Sequence, residues 1–224
     1  MYFSLLGIAL FIAMIDWFAV AKDLTGLRYF SKPGVMIALL VWIALTSGFT
    51  NPMSWFALAI FFSLGGDVFL LLPEKVFIAG LISFLFAHIA YIIGLNQTLP
   101  PFNLVTLILL SIIAMTAAGL YWRIASGLSS GRNNKLRLPV LIYVIVISLM
   151  VFSALVTLAR PDSQWKPYPA LLVSAGALLF FISDASLAWD RFVEKLPYGS
   201  LQVITTYHLG QISIILGTLL QFTK

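Results

Sequence analysis

The 224-residue chain is 61% hydrophobic and only 9% charged, with a mean hydropathy of +1.04, which excludes an ordinary soluble globular protein. It has no cysteine, which excludes disulfides, thiolate metal sites and a cysteine nucleophile. The net charge of +5 could suit nucleic acid, but the basic residues fall in short loops between apolar runs, so membrane topology explains them better and no nucleic-acid partner is expected.

Apolar runs long enough to span a bilayer follow one another along the chain. They predict an all-α fold, a polytopic membrane helix bundle with eight transmembrane helices forming one domain, 1–224. The predicted spans are 2–21, 33–49, 53–72, 76–94, 102–122, 139–159, 168–188 and 200–221. Prolines such as Pro33, Pro73 and Pro197 are expected to flank the spans, where a missing backbone N–H costs little.

The first span carries one charged residue, Asp16, near its end. It could join a polar pocket inside the bundle or pair with Lys22 at the membrane interface, and the interface is the expected place.

Lysines and arginines are unevenly distributed between alternate loops. Ten of the 13 lie on one side of the predicted bundle, and Arg160, Lys166 and Lys224 lie on the other. By the positive-inside rule, the side with ten is cytoplasmic and both termini are extracytoplasmic. The expected location is the bacterial inner (cell) membrane, with the protein integral to it.

Two predicted helical hairpins each carry an aspartate and a histidine within apolar sequence. Asp67 and His88 are 21 residues apart in the first hairpin, and Asp184 and His208 are 24 apart in the second. Ionisable groups are costly in a membrane span, so they should face a partner, a cavity or a substrate. We expect the two hairpins to build one polar site in the cytoplasmic half of the bundle.

Asp67 and Asp184 are the strongest catalytic candidates. In an apolar setting a carboxyl pair tends to share one proton, so that one member can act as an acid near neutral pH. The alternative is that each aspartate only bonds a histidine or a helix end. For His88 and His208 a structural and a catalytic role stay equally open. No two of the four lie three or four residues apart on one helix, so neither a metal site nor another cofactor is expected.

Polar side chains accompany both histidines. Tyr91 follows His88 by three residues and Gln211 follows His208 by three, so each pair shares a helix face, and Tyr207 adjoins His208. These groups could orient a substrate or a water molecule, or they could only satisfy hydrogen bonds between helices.

Short motifs spread over nearly the whole chain resemble those of the YhhN family of membrane proteins, whose members include the lysoplasmalogenases. The most specific is Ser183-Asp184-x-x-Leu187-Ala188-x-Asp190-Arg191-Phe192. The others are Lys32-Pro33, Gly65-Gly66-Asp67, His88-x-x-Tyr91, Leu138-Pro139-Val140 with Tyr143, Gly176-Ala177-Leu178-Leu179-Phe180, and Tyr207-His208-x-x-Gln211.

The resemblance implies an integral membrane hydrolase that cleaves the vinyl ether bond of lysoplasmalogens into a fatty aldehyde and a glycerophospho-base. Its partners would be a lysophospholipid substrate and the surrounding membrane lipids. The catalytic set would be Asp67, Asp184, His88 and His208. The substrate-binding set would be Lys32, Tyr91, Tyr143, Ser183, Tyr207 and Gln211, with Lys32 holding the phosphate at the cytoplasmic rim.

The chemistry of this reaction agrees with the candidate carboxyls. Hydrolysis of a vinyl ether begins with proton delivery to the β-carbon, and water then captures the resulting oxocarbenium ion. A protonated carboxyl can supply the proton while an ionised one stabilises the cation, as paired carboxylates do in glycosidases. The rival hypothesis is a transporter or lipid-binding protein that uses the same groups as a proton relay.

Overall fold

The computed structural model describes residues 2–128, 131–159 and 165–223. Eight long helices, α1 to α8, form this part of the chain, and it contains no strand. Each is long and apolar enough to cross a membrane, which confirms the predicted all-α architecture. The helices are Tyr2–Ala21, Thr25–Ser47, Met53–Leu71, Phe77–Leu95, Leu104–Gly127, Arg137–Val156, Pro167–Phe192 and Gly199–Phe222, with short 3₁₀ turns at Glu74–Val76 and Gly131–Leu136.

The hairpins α3–α4 and α7–α8 form the middle of the bundle. Helix α1 packs on α2 and α8, while α6 joins α4 to α7 and α5 lies outermost against α6. Helices α7 and α8 come close because both have glycine at the contact. A Cβ atom on Gly176 would lie 2.7 Å from the carbonyl oxygen of Gly210, so a larger residue there would push the two helices apart.

Helix α2 begins earlier than the sequence predicts, at Thr25. The expectation that Pro33 flanks the second span is wrong, because Pro33 lies inside this helix. The helix extends toward its N-terminus because Ser31 and Lys32, which look like loop residues by composition, are buried against neighbouring helices.

Helix α7 continues four residues beyond its predicted end, to Phe192. Asp184 therefore lies eight residues before the end of its helix rather than close to the membrane surface. At 1.5 Å per residue this is a depth of about 12 Å, which places the carboxyl well inside the bundle.

Candidate active site

The two hairpins meet through polar contacts that cross from one to the other. His88 on α4 contacts Asp184 on α7, and Tyr207 on α8 donates a hydrogen bond to Asp67 on α3. The hairpins are thus brought together, but the expectation that they build one polar site is wrong, because Asp184 and Asp67 have different partners. No hydrogen bond joins Asp67 to Asp184 in the described part of the chain, since each carboxyl is bonded by a residue of the other hairpin.

Asp184 is held by two side chains that converge on one of its oxygens. Tyr143 on α6 donates a hydrogen bond to Oδ2, and Nε2 of His88 lies 3.2 Å from the same oxygen and 3.0 Å from the Tyr143 hydroxyl. With its proton on Nε2, the fully buried His88 ring donates to this pair. The second oxygen, Oδ1, has no hydrogen-bond partner among the described residues.

Asp184 and Tyr143 face a narrow apolar pocket with a cavity volume of about 50 Å³. They are the two polar residues in its lining. The other lining residues are apolar: Leu70, Phe77, Leu81, Phe84, Leu120, Ile124, Val140, Val144, Ile147, Phe181, Ala185, Leu187, Ala188 and Phe192. The Asp184 side chain is 12% exposed, whereas that of Asp67 is 0% exposed. The site therefore offers a carboxyl to an apolar chain.

The pocket lies toward one end of the bundle. Phe77 begins α4 and Phe192 ends α7, so the pocket opens where these helices meet their connecting loops. Most of the lysines and arginines lie on this side.

Asp67 belongs to a separate cluster on the far side of aromatic side chains. Its Oδ1 forms an ion pair with Nζ of Lys32 at 3.3 Å, and its Oδ2 accepts the Tyr207 hydrogen bond at 2.9 Å. The rings of Phe84 and Phe180 pack on Tyr207, and Phe180 also packs on His88. Aromatic rings therefore lie between this cluster and the His88–Asp184 pair.

The expected position of Lys32 at the cytoplasmic rim is wrong. Lys32 is only 7% exposed, because its ammonium group turns inward to the buried Asp67 carboxylate. Burying either charge alone would be costly, and the ion pair offsets part of that cost.

The expected position of Asp16 at the interface is also wrong. Asp16 is fully buried, accepts a hydrogen bond from the Ser31 hydroxyl at 2.6 Å, and lies 3.9 Å from Nε of Arg28. Because α2 begins at Thr25, it brings these two partners opposite Asp16, whereas Lys22 stays exposed in the loop.

His208 faces α1 rather than the pocket. The indole N–H of Trp17 donates to its Nδ1 at 3.2 Å, so a neutral His208 carries its proton on Nε2. The sequence analysis did not identify Trp17. A sequence signal for this contact existed, because the indole N–H of a tryptophan within an apolar span needs a hydrogen-bond acceptor and the chain has only two histidines.

The remaining predicted residues bond one another across helices. Tyr91 donates to Oε1 of Gln211, whose amide nitrogen donates to the hydroxyl of Ser63 at 2.9 Å, and all three are buried. Ser183 donates to the backbone oxygen of Val203 at 2.9 Å and so links α7 to α8. These contacts agree with the interhelical alternative. A part in substrate binding stays a prediction.

No group of three or more histidine, aspartate or glutamate side chains in the described residues could hold a metal ion. The chemistry available at the pocket is that of a carboxyl and a phenol, both in contact with the buried imidazole of His88.

Fold and site together define a polytopic membrane protein with a carboxyl at an apolar pocket. Residues 27–218 match the model of the YhhN family, and the chain belongs to that family. It is 30% identical over 207 residues to the human (Homo sapiens) protein named lysoplasmalogenase TMEM86B, covering 92% of this chain and 77% of the relative.

Other relatives carry the same enzyme name. A mouse (Mus musculus) lysoplasmalogenase TMEM86B is 30% identical over 190 residues, or 84% of this chain and 73% of its own. A lysoplasmalogenase of Mycobacterium bovis is 28% identical over 191 residues, covering 81% and 67%. No solved structure matches the chain.

Proposed function

We propose that this protein is a lysoplasmalogenase, an integral membrane enzyme that hydrolyses the vinyl ether bond of a lysoplasmalogen to a fatty aldehyde and a glycerophospho-base. The relatives over most of its length carry that name. The structural observation that carries the proposal is the carboxyl of Asp184 at an apolar pocket. The alkenyl chain would occupy the apolar part and bring its ether end to the carboxyl.

Asp184 acts first as a general acid through Oδ1. Its proton forms a new C–H bond at the β-carbon of the vinyl ether, which becomes an oxocarbenium ion, and Asp184 is left ionised. The carboxylate then lies beside the cation and stabilises it. Tyr143 and His88 hold Oδ2 and so position the carboxyl during this step.

Asp184 acts next as a general base. A water oxygen bonds to the α-carbon of the oxocarbenium ion and gives one proton to the carboxylate, which restores the acid and leaves a hemiacetal. The hemiacetal breaks its C–O bond to glycerol while its hydroxyl proton passes to the glycerol oxygen. The products are the aldehyde and the glycerophospho-base, and the enzyme is ready for another turnover.

Aldehyde release from purified protein tests the proposal. A 1-alkenyl lysophospholipid should yield stoichiometric fatty aldehyde, while the matched 1-alkyl lysophospholipid should yield none, because a saturated ether has no double bond through which its β-carbon could accept a proton. If the protein binds the alkenyl lipid but releases no aldehyde, the rival transporter or lipid-binding hypothesis is favoured.

A reporter enzyme fused after Lys224 tests orientation. We predict activity on the extracytoplasmic side, because ten of the 13 lysines and arginines are counted on the opposite side of the predicted topology. Arg160 and Lys224, two of the three counted on the extracytoplasmic side, lie outside the described residues. A reporter active only in the cytoplasm would reverse the orientation and place the mouth of the pocket in the outer leaflet.

Aldehyde release should be insensitive to chelators. The chain has no cysteine, and its histidines bond different partners, Asp184 and Trp17. We expect unchanged turnover after dialysis against EDTA and no stoichiometric metal by elemental analysis. One metal per chain, with activity lost on its removal and restored on its return, would contradict this.

A further inference from the structure

An ion pair lies at the mouth of the Asp184 pocket. Nη2 of Arg191, at the end of α7, is 2.5 Å from Oε1 of Glu74, which precedes α4. The Arg191 guanidinium carbon also lies 3.8 Å from the centre of the Phe77 ring and 5.9 Å from that of Phe192. Both rings line the pocket, so the ion pair is fixed beside its opening.

The distance between Arg191 and Asp184 along α7 matches the distance between the phosphate and the vinyl ether of one lysolipid. It follows Asp184 by seven residues on α7, which is about two helical turns, so it lies on nearly the same face roughly 10 Å nearer the mouth. In a lysoplasmalogen, seven bonds separate the β-carbon of the vinyl ether from the phosphorus atom. At about 1.2 Å per bond, as in an extended backbone, they span roughly 8 Å.

The two side chains of the ion pair remain accessible to a ligand. The Glu74 side chain is 84% exposed and that of Arg191 is 31% exposed. Ion pairs at such exposure are weak, so a ligand that satisfies both charges can separate them at little cost. Lys32 is not available for a phosphate in this way, because it is buried against Asp67.

We propose that Arg191 and Glu74 form the head-group site of the lysolipid, with Arg191 binding the phosphate and Glu74 the ammonium group of ethanolamine or choline. This inference rests on the proposed function for the identity of the substrate. The arginine fork matches phosphate oxygens in a two-point contact, and a carboxylate complements an ammonium ion. The Arg191–Glu74 site would bind a zwitterionic phospholipid head group, and this binding would position the vinyl ether bond of the same lipid at Asp184.

Comparing substrates with and without each charge tests the two residues separately. Arg191→Gln should lower kcat/KM for a 1-alkenyl glycerophosphoethanolamine at least about tenfold, mainly through KM, and less than about twofold for 1-alkenylglycerol, which has no phosphate. Arg191→Lys should recover part of the loss. Glu74→Gln should lower kcat/KM about threefold for the ethanolamine lipid and leave 1-alkenylglycerol phosphate unaffected.

Lys195→Gln is the matched control. Lys195 is a basic residue at the same end of the bundle, 84% exposed and ion-paired with Asp190 at 2.8 Å, so its loss changes the surface charge equally. We expect no change with any of the substrates. Two results would overturn the inference. One is that Arg191→Gln lowers kcat/KM equally for the phospholipid and for 1-alkenylglycerol. The other is that Lys195→Gln lowers kcat/KM for the phospholipid as much as Arg191→Gln does.

A binding measurement separates this inference from the proposed function. The affinity for the saturated 1-alkyl glycerophosphoethanolamine, which cannot be cleaved as a vinyl ether, should fall at least about tenfold in Arg191→Gln. If wild-type protein releases no aldehyde but this difference appears, the proposed activity fails and the head-group site stands. If aldehyde is released but the affinities are equal, the head-group site fails alone.

Discussion

Replacing Asp184 by Asn should reduce turnover at saturating substrate by at least ~10²-fold while the bundle stays folded. Asparagine keeps the size of the side chain and can still accept hydrogen bonds from Tyr143 and His88. It has no acidic proton to deliver to carbon, and general acid–base groups typically contribute ~10²–10⁴-fold. The measurement is aldehyde release by purified protein, with the melting temperature as a check of folding.

Asp23→Asn provides the control for this variant. Asp23 is exposed in the loop between α1 and α2 and has a φ of +53°, a conformation that asparagine adopts easily. The substitution removes one negative charge at the same end of the bundle and should leave turnover unchanged. A folded Asp184→Asn protein with turnover near that of the wild type would remove Asp184 from the mechanism.

Asp67→Asn should instead lower stability, by about 3–5 kcal/mol, because it leaves the ammonium group of Lys32 buried without a counter-charge. The Tyr207 hydroxyl can still donate to the asparagine oxygen, so the lost charge is the main change. Unfolding of the detergent-solubilised protein, followed by temperature or denaturant, measures the effect.

A double-mutant cycle isolates the Lys32–Asp67 pair. Lys32→Met alone should also destabilise, since it leaves the Asp67 carboxyl buried without its counter-charge, whereas the double variant should be more stable than the sum of the single losses predicts. Losses that simply add would show that the two charges do not stabilise each other in the bundle.

The same double variant tests the predicted catalytic role of Asp67. If Asp67 divides acid and base work with Asp184, turnover should stay at least ~10²-fold low even where stability has recovered. Combining Asp67→Asn with Asp184→Asn should then be little worse than the worse single variant, because groups that act as a unit are not additive. Turnover that recovers together with stability would assign Asp67 to the packing of the bundle.

Hydropathy was sufficient to predict the eight helices because each span must satisfy its own backbone hydrogen bonds and needs about 20 mostly apolar residues to cross the bilayer. The boundaries were less predictable. A proline and two polar residues at 31–33 have the composition of a loop, and only packing against α1 and α3 shows that Ser31 and Lys32 have partners inside the bundle. The buried position of Asp16 depends on the same packing.

The candidate site was predictable as a set of residue types but not as a set of contacts. Unusual ionisable groups in apolar spans identified Asp184 and His88, and matched spacing indicated that the hairpins would meet. Spacing along the chain carries no information on which helix faces which, so the pairing of His88 with Asp184 and the turning of His208 toward Trp17 were not predictable. Tyr143 was identified only through the family resemblance.

Hydrolysis in D₂O tests the central claim, that Asp184 delivers a proton to the β-carbon of a vinyl ether. Aldehyde trapped early in the reaction should carry one deuterium at C2, while authentic aldehyde incubated with the enzyme for the same time should carry almost none. The rate of this labelled release should fall with Asp184→Asn and not with Asp23→Asn. Aldehyde without deuterium at C2, or no aldehyde at all, would contradict the mechanism.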